Sequence, residues 1–351
     1  MNRILNIGKK KIGNNKPTYV IAEIGVNHDG DIKKAKLLIN EAIRCGVDCV
    51  KFQTFKSNQV TSSIGKKANY QKKNTRKNES QLNMLKKLEL SKEQFSDLFL
   101  YCKKKRINFL STPYDFDDVD FLEKLGVNAY KLSSMHLIEP NFIDYVLKKN
   151  KTTIISTGMS NIVEIQKMYK SINKKINKKK LILMQCTTNY PSSIFDCNLN
   201  VLDKFKNDFN CLVGYSDHTM ETLPTLLSIA KGACVIEKHF TLNTKDYGPD
   251  HSSSFDPIQM KNLINNIRKV ENILGSDNKK PSKDEIINKI SMRRSVYSRI
   301  FIKQGSKIAD KHLIYKRPSN GISPSNVKNL INKKTTIDIK ANTLIKWSMF
   351  S

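Results

Sequence analysis

A (β/α)8 barrel followed by a small, mostly β C-terminal domain is the fold this sequence predicts. Three observations predict it. Short apolar runs alternate with amphipathic segments from about residue 19 to residue 274. The runs are continuously apolar, as parallel strands buried on both faces must be. The polar residues within them recur at their C-terminal ends, where barrels of this kind build active sites.

The first run is Tyr19-Val20-Ile21-Ala22-Glu23-Ile24, and a helical pattern follows over 32–45, with Ile32, Ala35, Leu38, Ile39, Ala42 and Ile43 on one face. The next runs are Val47–Gln53, Ile107–Thr112, Ala129–Leu132, Thr152–Thr157, Leu181–Cys186, Cys211–Tyr215 and Ala233–Lys238. Helical stretches fall at about 91–105, 116–125, 140–149, 160–174, 220–231 and 257–274. Eight such units over residues 1–275 match the roughly 250 residues typical of a barrel. A doubly wound sheet is the alternative, but no glycine-rich phosphate loop follows the first run.

Residues 57–90 form a lysine- and asparagine-rich insertion after the second run. An insertion this long reads either as a lid over the mouth or as a mobile surface loop. Residues 276–290 read as a linker. Residues 291–351 change character, with short β-like pieces at Ser295–Ile302, Thr335–Ile339 and Thr343–Ser348 and the turn Arg317-Pro318-Ser319-Asn320-Gly321.

The composition narrows the function. The chain is 39% apolar and 26% charged, so a globular core can form and intrinsic disorder is excluded. No apolar run approaches the roughly 18 residues a membrane span needs, and no apolar signal stretch opens the chain. A cytoplasmic protein is expected. The net charge is +29, which invites a nucleic-acid partner. Only nine of the 61 basic residues are arginine, however, the usual reader of base edges. The charge reads instead as a lysine-rich surface whose field helps capture a multiply charged anion. The seven cysteines are scattered, odd in number and contain no C-x-x-C pair, which excludes a disulfide framework or zinc knuckle.

At the expected barrel mouth, His218 and His239 end neighbouring runs. Two imidazoles on adjacent strands suit a divalent metal with positions left open for substrate. The flanking acids Asp217, Glu237 and Asp250 are placed to orient the imidazoles or to bind substrate. Lys51 and Lys131, with the hydroxyls of Thr112, Ser134 and Ser216, make a site for phosphate and carboxylate. A lysine at a strand end also suits Schiff-base chemistry. Glu23, beside a metal and two lysines, is expected to stay ionised and to serve as a base.

The motifs Ala22-Glu23-Ile24-Gly25-Val26-Asn27-His28-Asp29-Gly30, Val50-Lys51-Phe52-Gln53, Ser111-Thr112-Pro113, Ser156-Thr157-Gly158-Met159, Gly214-Tyr215-Ser216-Asp217-His218-Thr219 and Glu237-Lys238-His239-Phe240-Thr241…Gly248-Pro249-Asp250-His251 together resemble the sialic acid synthase family, in order and over nearly the whole chain. The tail resembles that family's antifreeze-like (SAF) domain through Lys316-Arg317-Pro318-Ser319-Asn320-Gly321. The resemblance implies condensation of phosphoenolpyruvate with an N-acylated mannosamine-type sugar and water, giving a nonulosonic acid and phosphate. N-acetylneuraminate or N,N'-diacetyllegionaminate is the expected product. The alternatives are pseudaminic acid, or a metal-dependent barrel aldolase or hydrolase that does not use phosphoenolpyruvate.

The resemblance further implies that His218 and His239 hold a divalent metal, manganese first, with magnesium or cobalt as alternatives. Glu23 handles the proton of the attacking water. Lys51, Lys131, Thr112, Ser134 and Ser216 hold phosphate and carboxylate. Gln53, Tyr190 and Asp250 line the sugar pocket. Arg317 reaches in from the partner of a domain-swapped homodimer. Neither nucleic acid nor membrane is an expected partner. In two places the sequence departs from the family. The family carries an acid five positions after Lys131. Here that position is His136: either His136 shuttles the proton itself, or Glu139 leans in, or the substitution tracks a different sugar. At Thr188-Asn189-Tyr190 a polar sugar contact common in sialic acid members is not in identical register.

Overall fold

The computed structural model describes residues 3–75, 78–172 and 177–351 and divides the chain into two compact units, Met1–Gly275 and Ser276–Ser351. In the first unit, Ile4–Ile7 (β1) and Lys10–Gly13 (β2) form an antiparallel hairpin. Eight parallel strands follow: Tyr19–Gly25 (β3), Cys49–Thr54 (β4), Asn108–Pro113 (β5), Ala129–Leu132 (β6), Thr152–Ser156 (β7), Leu181–Cys186 (β8), Leu212–Asp217 (β9) and Val235–His239 (β10). They run in the order β5-β4-β3-β10-β9-β8-β7-β6, and β5 lies beside β6, so the sheet curls into the expected barrel.

The helices are Ile32–Cys45 (α1), Ser57–Val60 (α2), Asn69–Asn74 (α3), Gln81–Leu88 (α4), Lys92–Lys105 (α5), Phe116–Leu125 (α6), Pro140–Lys148 (α7), Ile162–Ser171 (α8), Val201–Phe209 (α9), Leu223–Ala230 (α10), Pro257–Leu274 (α11) and Lys283–Met292 (α12). Their ends follow local chemistry. Asp31 accepts from the N–H of Lys33 to start α1, and Gly46, at φ 91°, ends it in the left-handed region. Asp256 and Gln259 close a capping box around Pro257 at the start of α11. Residues 173–174, at the end of the expected 160–174 helix, lie outside the described residues.

Strand parity positions everything else. Successive side chains alternate between the barrel interior and the surrounding helices. Val20, Ala22, Val50, Phe52, Phe109, Tyr130, Ile155, Leu183, Val213 and Ile236 pack outward in one large core with the helices. Tyr19, Ile21, Cys49, Leu110, Ala129, Ile154, Ile182, Met184, Leu212 and Val235 pack inward, where Leu5, Ile7 and Ile12 of the hairpin join them. The barrel interior is thus filled below with apolar side chains. Inward positions further along the strands are polar: Glu23, Lys51, Gln53, Thr112, Lys131, Ser156, Ser216, Glu237 and His239.

The 57–90 insertion carries α2, α3 and α4. Met84 and Leu88 of α4 pack on Val26 and Phe55 beside the mouth. The stretch expected as a linker, 276–290, holds most of α12, which is capped by Ser282 with Glu285 and runs on to Met292. The C-terminal unit pairs Ser295–Ser298 (β11) antiparallel with Leu313–Lys316 (β12) around Val296, Ile302, Ile308, Leu313, Ile322, Leu330, Ile339 and Ile345. Ser295 Oγ donates to the carbonyl of Pro318 and accepts from the N–H of Gly321, fastening the 317–321 turn. A Cβ on Gly321 would meet Leu344 at 2.4 Å, so a larger residue there would push the leucine side chain aside. Trp347, the single tryptophan of the chain, sits half-exposed in this unit.

Candidate active site

The polar inward layer encloses a cavity of about 90 Å³ at the C-terminal mouth, lined among others by Glu23, Lys51, Lys131, Tyr190, Glu237 and both histidines. Lys51 and Lys131 are 3% and 2% exposed, so neither is a surface lysine. Lys51 Nζ lies 3.0 Å from Glu23 Oε2, 3.6 Å from Glu237 Oε1 and 3.2 Å from Thr112 Oγ1. Lys131 Nζ donates to Ser156 Oγ at 2.6 Å and stands 3.7 Å from Glu237 Oε1. Two cations and two carboxylates therefore form one buried chain. One carboxylate oxygen of Glu237 has no hydrogen-bond partner.

Burial disfavours every one of these charges, and the neighbours decide the balance. Burial pushes the Glu23 carboxyl up to about 7, with Lys51 pulling the other way. This corrects the expectation of a Glu23 simply held ionised by its lysine neighbours. Burial also acts against the Glu237 carboxylate, but Lys131 and Lys51 outweigh it and draw Glu237 below the usual range. Lys51 is held above its ordinary value, because Glu23 and Glu237 more than offset its desolvation. Lys131 is lowered, chiefly by desolvation.

His218 Nδ1 faces the carbonyl of Thr187 at 2.7 Å. A carbonyl only accepts, so Nδ1 carries a proton, and in the neutral ring Nε2, 3.3 Å from Ser216 Oγ, keeps its lone pair. Burial acts against the charged ring, but Cys186 and the Thr187 carbonyl outweigh it and raise His218 above its ordinary value. His239 is buried, its ring centroid 5.4 Å from that of His218, and its Nδ1 has no hydrogen-bond partner. The nearest acid is Asp250, whose Oδ2 lies 3.6 Å from that nitrogen. Burial lifts the Asp250 carboxyl to about 6. Tyr190 stacks on His218 at 4.1 Å and meets His239 edge-on at 5.3 Å.

Gln53 Nε2 donates to Glu23 Oε1 at 2.8 Å, while Tyr114 donates to Gln53 Oε1 at 3.2 Å. Ser134 Oγ accepts from the N–H of Gly158 at 2.9 Å. The structure therefore brings together Glu23, Lys51, Gln53, Thr112, Lys131, Ser134, Tyr190, Ser216, His218 and His239, with Asp250 against His239. Arg317 belongs to the C-terminal unit, where its Nε donates to the carbonyl of Met292 at 3.0 Å.

His136 does not join them. Its ring is fully buried between Tyr114 and Phe142, with centroids at 5.7 and 4.7 Å, and its Nδ1 meets Ser133 Oγ. Burial lowers it to about 4, so the ring is held neutral behind the cavity lining, with Nε2 buried and unpartnered. Asp217 also departs from expectation. It faces outward and pairs with Lys238 of the next strand at 3.0 Å, both fully buried. Four lining residues were missed: Tyr114, Ser133, Ser156 and Cys186. Parity was the available signal for two of them. Ser156 and Cys186 each lie two positions beyond an inward apolar residue, Ile154 and Met184.

Among the described residues one further cluster offers three close ligand atoms, Asp29, Asp246 and His251. Lys34 already bridges its two carboxylates at 2.6 and 2.7 Å. It is an ion-paired latch between two mouth loops.

A buried lysine pair, carboxylates and two histidines at the mouth of a (β/α)8 barrel define an enzyme built for an anionic substrate. The particular family follows from comparison with known proteins. The NeuB family matches residues 38–279 and the SAF domain matches residues 293–351. The chain is 42% identical over 332 residues to an N,N'-diacetyllegionaminic acid synthase of Campylobacter jejuni, covering 94% of this chain and 99% of that one. It is 39% identical over 349 residues to the Legionella pneumophila protein of the same description, covering 99% and 98%. Among solved structures, an N-acetylneuraminic acid (sialic acid) synthetase of Leptospira borgpetersenii in complex with citrate superposes with a TM-score of 0.72 at 29% identity, covering 82% of this chain and 95% of that one. The chain belongs to the NeuB family.

Proposed function

We propose that this protein condenses phosphoenolpyruvate with a 2,4-diacetamido-2,4,6-trideoxymannose-type sugar and water, releasing N,N'-diacetyllegionaminate and phosphate. The observation that carries the anionic substrate is the buried Lys51–Lys131 pair, set among Thr112, Ser134, Ser156 and Ser216. The choice of sugar is supported by the two relatives described as legionaminic acid synthases.

In this reading Lys51 and Lys131 bind the phosphate and carboxylate of phosphoenolpyruvate, and the hydroxyls fix its orientation. C3 of phosphoenolpyruvate bonds to the aldehyde carbon of the sugar, water adds at C2, and phosphate leaves. Glu23, with a carboxyl near 7, takes the proton of that water. Gln53 holds the Glu23 carboxylate, and Tyr190 and Asp250 line the sugar side.

The donor set fits a divalent metal: Nε2 of His218, whose Nδ1 donates its proton to a carbonyl, and an unpartnered buried nitrogen on His239. When bound there, the ion, manganese in this reading, polarises the sugar aldehyde. Arg317 is assigned to the partner's site in a domain-swapped dimer, and the enzyme to the cytoplasm.

The test is phosphate release from phosphoenolpyruvate with manganese, using the diacetamido sugar and N-acetylmannosamine in parallel. Release with the diacetamido sugar, abolished by EDTA and restored by manganese, is the expected outcome. Release with N-acetylmannosamine alone reassigns the sugar. No release with either sugar overturns the reading.

A further inference from the structure

The short helix α3 reaches over the barrel mouth, and one of its residues touches the site. The Tyr70 ring packs on Tyr190 with centroids 4.9 Å apart. Tyr190 in turn stacks on His218 and meets His239 edge-on, so the three layers form one column above the histidine pair. The Tyr70 hydroxyl lies within electrostatic reach of Asp250 and Tyr114, two further residues of the mouth. One turn after Tyr70, Asn74 Nδ2 donates to the carbonyl of Pro249 at 3.2 Å and to Ser252 Oγ at 2.8 Å. Those two contacts tie α3 to the loop that carries Asp250.

Beneath this column the cavity is about 90 Å³. Small-molecule sites run to roughly 300–1,000 Å³, and the proposed reaction needs two substrates in contact. The cavity must therefore widen to hold both, and Tyr190, which roofs the imidazoles, rests against Tyr70. The helix α3 has six residues, none of them buried. Its ends are tied locally, by Gln71 Oε1 accepting from the N–H of Ala68 and by Thr75 Oγ1 donating to the carbonyl of Gln71 and accepting from Lys67 Nζ. A helix so short has little stability of its own, so Tyr70 and Asn74 help fix where it sits over the mouth.

We infer that Tyr70 is a positioning residue for the acceptor sugar: through Tyr190 it closes the roof of the active site, and the sugar enters by parting the two rings. The inference rests on the reaction proposed above for its kinetic consequence, but not for its structural one. Closure of this kind excludes water and aligns the acceptor, so its loss falls on the sugar and not on phosphoenolpyruvate, which the lysines hold deeper in the barrel.

Two measurements test it on the full-length protein, with Tyr70→Ala, Tyr70→Phe and Asn74→Ala compared with the wild type. The first needs no substrate. Cys186 lines the cavity beneath the roof and also an open pocket of about 670 Å³ beside it, whereas the other six cysteines are buried elsewhere, so the roof is read from the change in rate against wild type. Its alkylation by iodoacetamide is followed by mass spectrometry of the peptide that contains it. Tyr70→Ala and Asn74→Ala are expected to label about tenfold faster than wild type, the size of effect a lost stacked aromatic pair supports. Tyr70→Phe keeps the ring and is expected to match the wild type. Equal labelling in all four proteins overturns the inference.

The second measurement is steady-state kinetics with the sugar that supports turnover. Tyr70→Ala is expected to raise the KM of the sugar about tenfold with the KM of phosphoenolpyruvate little changed, and Tyr70→Phe to restore it. An equal rise in both KM values, or none, overturns the inference. Absence of turnover in the wild type removes the proposed reaction but leaves the labelling result to decide on Tyr70.

Discussion

Within the motif pairs Ser216-Asp217-His218 and Glu237-Lys238-His239, alternate residues have opposite fates. Ser216, His218, Glu237 and His239 turn into the cavity, while Asp217 and Lys238 turn outward and pair with each other, with Lys238 also set over the ring of Phe255 at 4.2 Å. Read letter by letter, all six look like site residues; read with the two-residue period of a strand, only four do. His136 escaped that logic for a different reason. Alternation stops when β6 ends at Leu132, and Ser134–Ile138 is a tight 3-10 turn, which carries the fifth residue after Lys131 into the wall. The consequence is measurable. In the folded protein His136 stays neutral down to about 4, whereas an unfolded histidine titrates near its ordinary 6.5. Its folded-state value is depressed, so its contribution to stability is full above 6.5 and is lost as the pH falls from there through about 4. His136→Phe removes this contribution and keeps the aromatic packing. We expect the variant to retain turnover, and its thermal midpoint to fall less steeply than that of wild type over that acid range in scanning calorimetry. Lost turnover would return His136 to the chemistry.

The long periodic elements were legible from the sequence. The expected spans for α1, α6, α11, β6 and β8 coincide with the observed ones, because each has an apolar face or run bounded by a capping residue or glycine. The elements that were missed are short. The strands β1 and β2 have four residues each and interleave lysine with isoleucine, so neither reads as a buried strand. Their apolar side chains nevertheless join the interior of the barrel below the site. Ile12→Ala should therefore cost about 2–5 kcal/mol, the range for a buried isoleucine, and denaturant melts report it directly. A change within a few tenths of wild type would mean that the hairpin adds nothing to the barrel. The helix α9 was also missed, although Leu202, Phe205 and Phe209 give it a buried face. Its exposed positions hold charged and amide residues, and the apolar spacing alone is too sparse to stand out.

Across the whole molecule, the surplus of lysine is spread over the surface, while the charges that matter for chemistry are few and balanced. Lys51 and Lys131 are matched by Glu23 and Glu237, so the cavity has little net charge of its own. Long-range attraction of an anionic substrate then falls to the remaining field of a chain with net charge +29. Such a field is screened over about 10 Å at 0.1 M salt. The kcat/KM for phosphoenolpyruvate should fall with added potassium chloride while kcat holds, in steady-state assays; a flat profile would leave the surface charge without a kinetic role. The division at Gly275 has a separate use. The only tryptophan, Trp347, belongs to the C-terminal unit, whereas all the parallel strands and most helices belong to the other. The chain therefore carries a built-in optical label: tryptophan emission reports the small unit and far-ultraviolet dichroism the barrel, so one sample followed by both signals reads the two units separately.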